Sequence, residues 1–167
     1  MNTNVPPGKS NTYKANFMLQ QKIGVGPVDE TAIKKSQEAM DNNDVDFTPM
    51  AMEYLGKLEQ ALAQAKDASI DLKVRKQALT SPVMELKANA AIFKYDLIGA
   101  LANIMLSFLE AVSDIDKHVV EIVGAHHKTL QAILLKKMKG DGGEAGKMMA
   151  SELKDACARY FAKKEGP

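Results

Sequence analysis

Side chains able to do chemistry are few in this chain. One cysteine, Cys157, and three histidines, His118, His126 and His127, are the whole stock of thiol and imidazole. They cannot supply a CxxC pair, and neighbouring helical residues point about 100° apart, so His126 and His127 do not converge on one ion. No metal site and no cofactor are expected. The run Gly140-Asp-Gly-Gly-Glu-Ala-Gly146-Lys147 invites comparison with a phosphate loop. Its spacing differs from GxxxxGK, Met148 follows where Ser or Thr holds magnesium, and no strand precedes it, so a connection between helices is predicted.

The histidines divide by direction. On a helix, His126 falls near the centre of the stripe Val119, Ile122, Val123, Leu130 and Ile133, His127 falls towards its edge, and His118 points away. The plain reading of His126 is a hydrogen-bonded core or interface residue; the sharper one is a reactive imidazole. No Ser, Cys or acid sits one turn away in the arrangement of a nucleophile and its base, although Glu121 and Lys128 are near in sequence. Cys157 reads as a small buried or half-buried residue.

The elements that position these groups are all helical in pattern. Residues 1–28 carry Pro6, Pro7, Gly8, Gly24, Gly26 and Pro27 without sustained periodicity, and read as a mobile arm. A short helix over 28–40, opening near Asp29, is expected within a non-core segment 1–46. The helical domain occupies 47–167. Thr48-Pro49 predicts an N-cap and first helical position, and Ala51, Leu55, Leu58, Leu62 and Ala65 recur at helical spacing to about Lys66. A second helical region starts near Asp71 and meets Ser81-Pro82, where a kink or a fresh start capped by Ser81 is expected. Pro82 to about Phe93 continues it, Lys94-Tyr95-Asp96 turns, and 97–112 is apolar on nearly every side, so that helix must be surrounded. Ser113 to Asp116 opens a helix to about Lys139, Gly140 to Gly143 stops it, and 144–164 forms the last, with Met148 or Met149, Leu153, Ala156 and Tyr160 inward. No segment alternates with period 2, and the short loops favour antiparallel neighbours. The expected fold is an all-α antiparallel bundle of four to five helices.

Composition narrows the function classes. The chain has 167 residues, 46% hydrophobic, with 22 Lys and Arg against 21 Asp and Glu. That is enough for one core, and a formal charge of +1 lacks the basic field that draws nucleic acid. No apolar run has the length of a membrane span or follows a basic start like a signal peptide, and a lone cysteine forms no internal bridge. No membrane association is expected, and a reducing cytoplasm is the expected compartment.

The segment from Pro82 to Tyr95 is apolar on two faces. Val83, Leu86, Ala90 and Phe93 suit a core, whereas Met84, Ala88, Ala91 and Tyr95 take the opposite face, where solvent normally demands charge. The second face calls for another bundle helix or for a protein that docks on a shallow patch. Leu86-Lys87-Ala88-Asn89-Ala90-Ala91-Ile92-Phe93, then a turn and Leu97-x-x-x-Leu101-Ala102 down to Leu109-Glu110, resembles the middle of histidine phosphotransfer (HPt) domains. The similarity spans about 30 residues, Pro82 to Ala111. In that family His-x-Leu-Lys-Gly-x-Ala/Ser-x-x-Phe/Leu-Gly opens a central helix. Leu86 and Lys87 match the family's Leu and its phosphate-supporting Lys, and Ala88 replaces the small Gly. Met84 stands where the phosphorylated histidine belongs, and a thioether cannot take up a phosphoryl group.

The resemblance therefore implies a non-catalytic, HPt-like interaction module of bacterial two-component signalling. It would bind a response-regulator receiver or a histidine kinase through Met84, Lys87, Ala88, Ala91 and Tyr95. Two alternatives stay open. Either His126 or His127 accepts the phosphoryl group in an active phosphorelay protein, or the chain self-associates as a homodimer through the Met84/Ala88/Ala91 face.

Overall fold

The computed structural model describes residue 18 and residues 29–42 and 45–164, and the chain divides into a unit ending at Asp41 and one beginning at Asn42. The expected mobile arm, residues 1–28, lies outside the described residues apart from Met18. In the first unit, helix α1 (Glu30–Asp41) starts where Asp29 Oδ1 accepts from the backbone N–H of Thr31 at 2.9 Å and of Ala32 at 3.2 Å. None of its side chains is buried.

The second unit contains α2 (Thr48–Gln64), α3 (Leu72–Ala90), α4 (Asp96–Ala111), α5 (Lys117–Leu135) and α6 (Gly143–Lys164). No strand occurs among the described residues. Helix α2 packs on α3, α3 on α4, α4 on α5, and α5 back on α2, which closes a four-helix ring. The short connections make consecutive helices antiparallel. Helix α6 lies on α4 and α5 as a fifth element. The interior is built from Leu55 and Leu58 of α2, Leu79, Val83 and Leu86 of α3, Ile98, Leu101, Met105 and Leu109 of α4, and Val123, Leu130 and Ile133 of α5. Three neighbours explain why α4 is apolar over so much of its circumference.

Local chemistry sets the ends, and here the structure differs from the sequence reading at three points. Phe47, not Thr48, holds the N-cap position of α2, and Asp46 Oδ1 takes the Thr48 N–H at 2.9 Å. Phe47 is drawn inward by stacking on Phe93 at 4.7 Å and by contact with Tyr95 at 5.6 Å. Helix α3 runs unbroken through the buried Pro82, with no fresh start at Ser81. Leu79, Val83 and Leu86 are buried on both sides of the proline, so core packing holds the flanking turns in one helix despite the missing N–H donor. Asp71 caps its start by accepting from Lys73 and Val74, and Asp116 caps α5 by accepting from Val119.

The third difference is the end of α5, at Leu135 and not near Lys139. Lys137 adopts a left-handed φ of 47°, its N–H reaches Leu134 O at 2.9 Å, and the Met138 N–H reaches Ile133 O at 3.0 Å. The same closure ends α3. Lys94 has φ 61°, its N–H reaches Ala91 O at 3.1 Å, and the Tyr95 N–H reaches Ala90 O at 2.8 Å. This pairing satisfies carbonyls that a helix end would otherwise leave bare.

The glycine-rich segment is the α5–α6 connection, and it braces the α3–α4 turn. The Gly140 N–H donates to Lys94 O at 2.6 Å, and Gly140 O accepts from the Leu97 N–H at 2.9 Å. Gly142, with φ 72°, lies where a side chain would meet Leu97 Cδ2 at 2.6 Å. Helix α6 is anchored at its other end, where Phe108 of α4 meets Tyr160 and Phe161 edge-on at 5.4 and 5.7 Å. Tyr160 donates its hydroxyl to Asp116 at 3.0 Å. Of the two methionines considered for the inner face, Met148 is exposed and Met149 packs against the core.

Candidate docking face

Helix α3 presents its Val83, Leu86 and Ala90 side to the core, and the opposite side faces outward. Met84 is 60% exposed, and Lys87, Ala88 and Ala91 are also exposed. Ile92, in the turn after the helix and 41% exposed, extends the apolar surface. Lys87 crosses to α4, where its Nζ donates to Asn103 Oδ1 at 2.6 Å. The ammonium is thereby tethered at the rim of the patch rather than free to sweep it. Glu85 beside it lies 4.0 Å from Lys57 of α2. Asn89 donates to Glu85 O at 2.9 Å and to the Tyr54 hydroxyl at 3.5 Å, linking the helix back to α2. The result is a shallow surface of small and flexible apolar groups edged by charge.

Tyr95 does not belong to this face. It is 2% exposed and packs against Phe47. The reason is the left-handed Lys94, which ends the helical progression, so angular arithmetic carried past the helix fails at the next side chain. Asn103 and the outward position of Ile92 went unassigned in the sequence. The Lys87–Asn103 contact joins two helices sixteen residues apart and leaves no mark in local periodicity.

The two histidines are inside the second unit. His127 is buried, and its Nε2 donates to Leu55 O of α2 at 3.1 Å. His126 is 0% exposed, and its Nδ1 lies 3.0 Å from Ile122 O. A carbonyl only accepts, so Nδ1 carries the proton and Nε2 is the acceptor, which makes no hydrogen bond with any described residue. Both rings are buried, whereas the phospho-acceptor alternative calls for an imidazole open to a donor. Cys157 is buried as well, and loss of hydration pushes its thiol up to about 11. Among the described residues no group of three His, Cys, Asp or Glu is placed to hold a metal ion, and no helix is long and apolar enough to cross a membrane.

Burial lowers the His126 pKa below 6.5, outweighing the raising effect of its bond to Ile122 O. The unfolded chain then binds more protons than the fold just below pH 6.5. The stabilisation from the neutral ring is full above that pH and is lost as pH falls. We expect His126→Leu to flatten the acid side of the stability curve, removing a slope of up to about 1.4 kcal/mol per pH unit. Urea titrations of both proteins between pH 7.5 and 5 read this difference directly, and parallel curves would refute it.

No protein-family model, no curated protein and no solved structure matches this chain.

Proposed function

We propose that the chain is a non-catalytic signalling module that docks a response-regulator receiver or a histidine kinase on the outer face of α3. The proposal places it in the cytoplasm and gives it no phosphoryl group of its own to pass on. The observation that carries it is an outward apolar row, Met84, Ala88 and Ala91, next to a tethered Lys87 on a helix whose other side is fully engaged in the core. Exposed groups of this kind gain by being covered. The resemblance of the segment 82–111 to HPt domains supplies the class of partner, and Met84 in the acceptor position supplies the lack of chemistry. Such a module sequesters a receiver or holds it against another protein.

The test is a binding series with individual receivers and kinase dimerisation domains from the same genome. Ala88→Arg should weaken the complex at least tenfold, about 1.4 kcal/mol or more, by clash and by burial of an unpaired charge. Its circular dichroism and melting point should stay at wild-type values, because Ala88 is exposed. Lys87→Ala should cost less, since a rim charge chiefly steers association. Binding that survives Ala88→Arg, or a chain that sediments as a dimer disrupted by the same substitution, would replace this reading.

A further inference from the structure

A second surface lies away from α3, between the start of α5 and the end of α6. A cleft of about 440 Å³ opens there, with Ile122 and Ala156 among the side chains that line it. Its charged groups are unevenly matched. Asp116 is committed to capping α5, to the Tyr160 hydroxyl, and to Lys164 Nζ at 3.2 Å. Glu121 is shared between Lys117 at 3.7 Å and His118 at 3.3 Å. Arg159 and Lys163 also line the cleft, are exposed, and make no ion pair with any described residue. Both acids of the cleft are taken, and two cations are left over.

The spacing of those cations points to the shape of what they meet. Four residues apart on α6, they stand about one helical turn, or about 6 Å, from each other on one side of the helix. An amphipathic helix carries two carboxylates at the same separation, with an apolar stripe alongside. We propose that the cleft is a docking groove for an acidic amphipathic segment of a partner protein. Carboxylates one turn apart in the partner face Arg159 and Lys163, and its small apolar side chains cover Ile122 and Ala156. Binding of this kind is modest in strength and sensitive to salt, because both cations remain near water. The groove is independent of the α3 face, so either site can be lost without the other.

The experiment selects random phage-displayed dodecapeptides on the immobilised full-length protein and measures the retained peptides by fluorescence anisotropy. Retained sequences should be enriched in Asp or Glu pairs four positions apart. Their affinity should fall about tenfold or more on Arg159→Glu combined with Lys163→Glu, and should fall in high salt. Peptides with Lys in place of those acids should prefer the charge-reversed protein. If charge reversal lowers the melting point, Arg159→Gln with Lys163→Gln serves instead, with a severalfold loss expected. Selection without acidic enrichment, or affinity indifferent to both double variants, overturns the proposal. So does a set of peptides lost on Ala88→Arg, which would place them on α3. Displacement of the peptides by decanoate at equal affinity would make the cleft a small-molecule site and equally overturn it.

Discussion

Phe108→Ala should destabilise the protein by about 3–5 kcal/mol, a core-aromatic truncation with little room for relaxation. Phe108 is 2% exposed on the side of α4 that α6 covers. Its ring is held edge-on by Tyr160 and Phe161, which themselves meet at 5.3 Å, so truncation removes two aromatic contacts together with the buried area. Such contacts add about 0.5–1.5 kcal/mol each beyond burial. Losing them loosens the only aromatic seam between α4 and α6 among the described residues. Urea unfolding should show the midpoint falling with the slope retained. A loss below about 1 kcal/mol would mean that α6 is not seated on α4 as described.

Gly146→Ala should be nearly as damaging, although alanine is the better helix former. A Cβ at position 146 runs into the carbonyl of Asp141 and comes within 3.2 Å of Leu97 Cδ2. A backbone carbonyl cannot rotate away as a side-chain tip can. The overlap therefore pushes on the loop that contains Gly140 and through it on the α3–α4 turn. Overpacking of this sort costs about 1–3 kcal/mol or more, against a gain of up to about 1 kcal/mol in helix propensity. We expect a net loss of about 2 kcal/mol and a clear drop in melting temperature. Gly56→Ala is the matched control: its Cβ meets nothing within 4 Å, so the same exchange in α2 should leave stability unchanged or raise it. Equal behaviour of the two variants would contradict the tight passage at Gly146.

The helices themselves were readable because their apolar residues recur at one-turn spacing and because α4 is apolar around most of its girth. Asp29, Asp71 and Asp116 start helices where short acceptors usually do. The stops were harder to read. Lys94 and Lys137 take a left-handed conformation that composition assigns to glycine, and nothing in a lysine announces it. At Pro82 the fresh start that the sequence allowed does not occur, since burial on both flanks outweighs the local cost of the missing donor. Within the candidate site, Met84, Ala88 and Ala91 were correctly directed by counting along one helix. Tyr95 was misdirected because the count ran across a helix end. His126 was legible as the centre of a stripe, whereas the full burial of its ring depends on surroundings assembled from distant segments. The cleft between α5 and α6 was invisible for the same reason.

The clasp between Gly140 and the Lys94–Leu97 turn bears on the order in which a growing chain matures. Helices α3 and α4 are neighbours in sequence, so their contacts are local ones of the kind that favour early formation. Their turn lacks the Gly140 N–H that Lys94 O accepts and the Gly140 O that the Leu97 N–H needs until the chain has extended beyond Ala111, the end of α4, as far as Gly140. A nascent chain halted before that point carries the α3 surface on a hairpin whose elbow is not yet locked. The bracing of this hairpin is thus a long-range property, supplied by the α5–α6 connection and not by the turn's own residues.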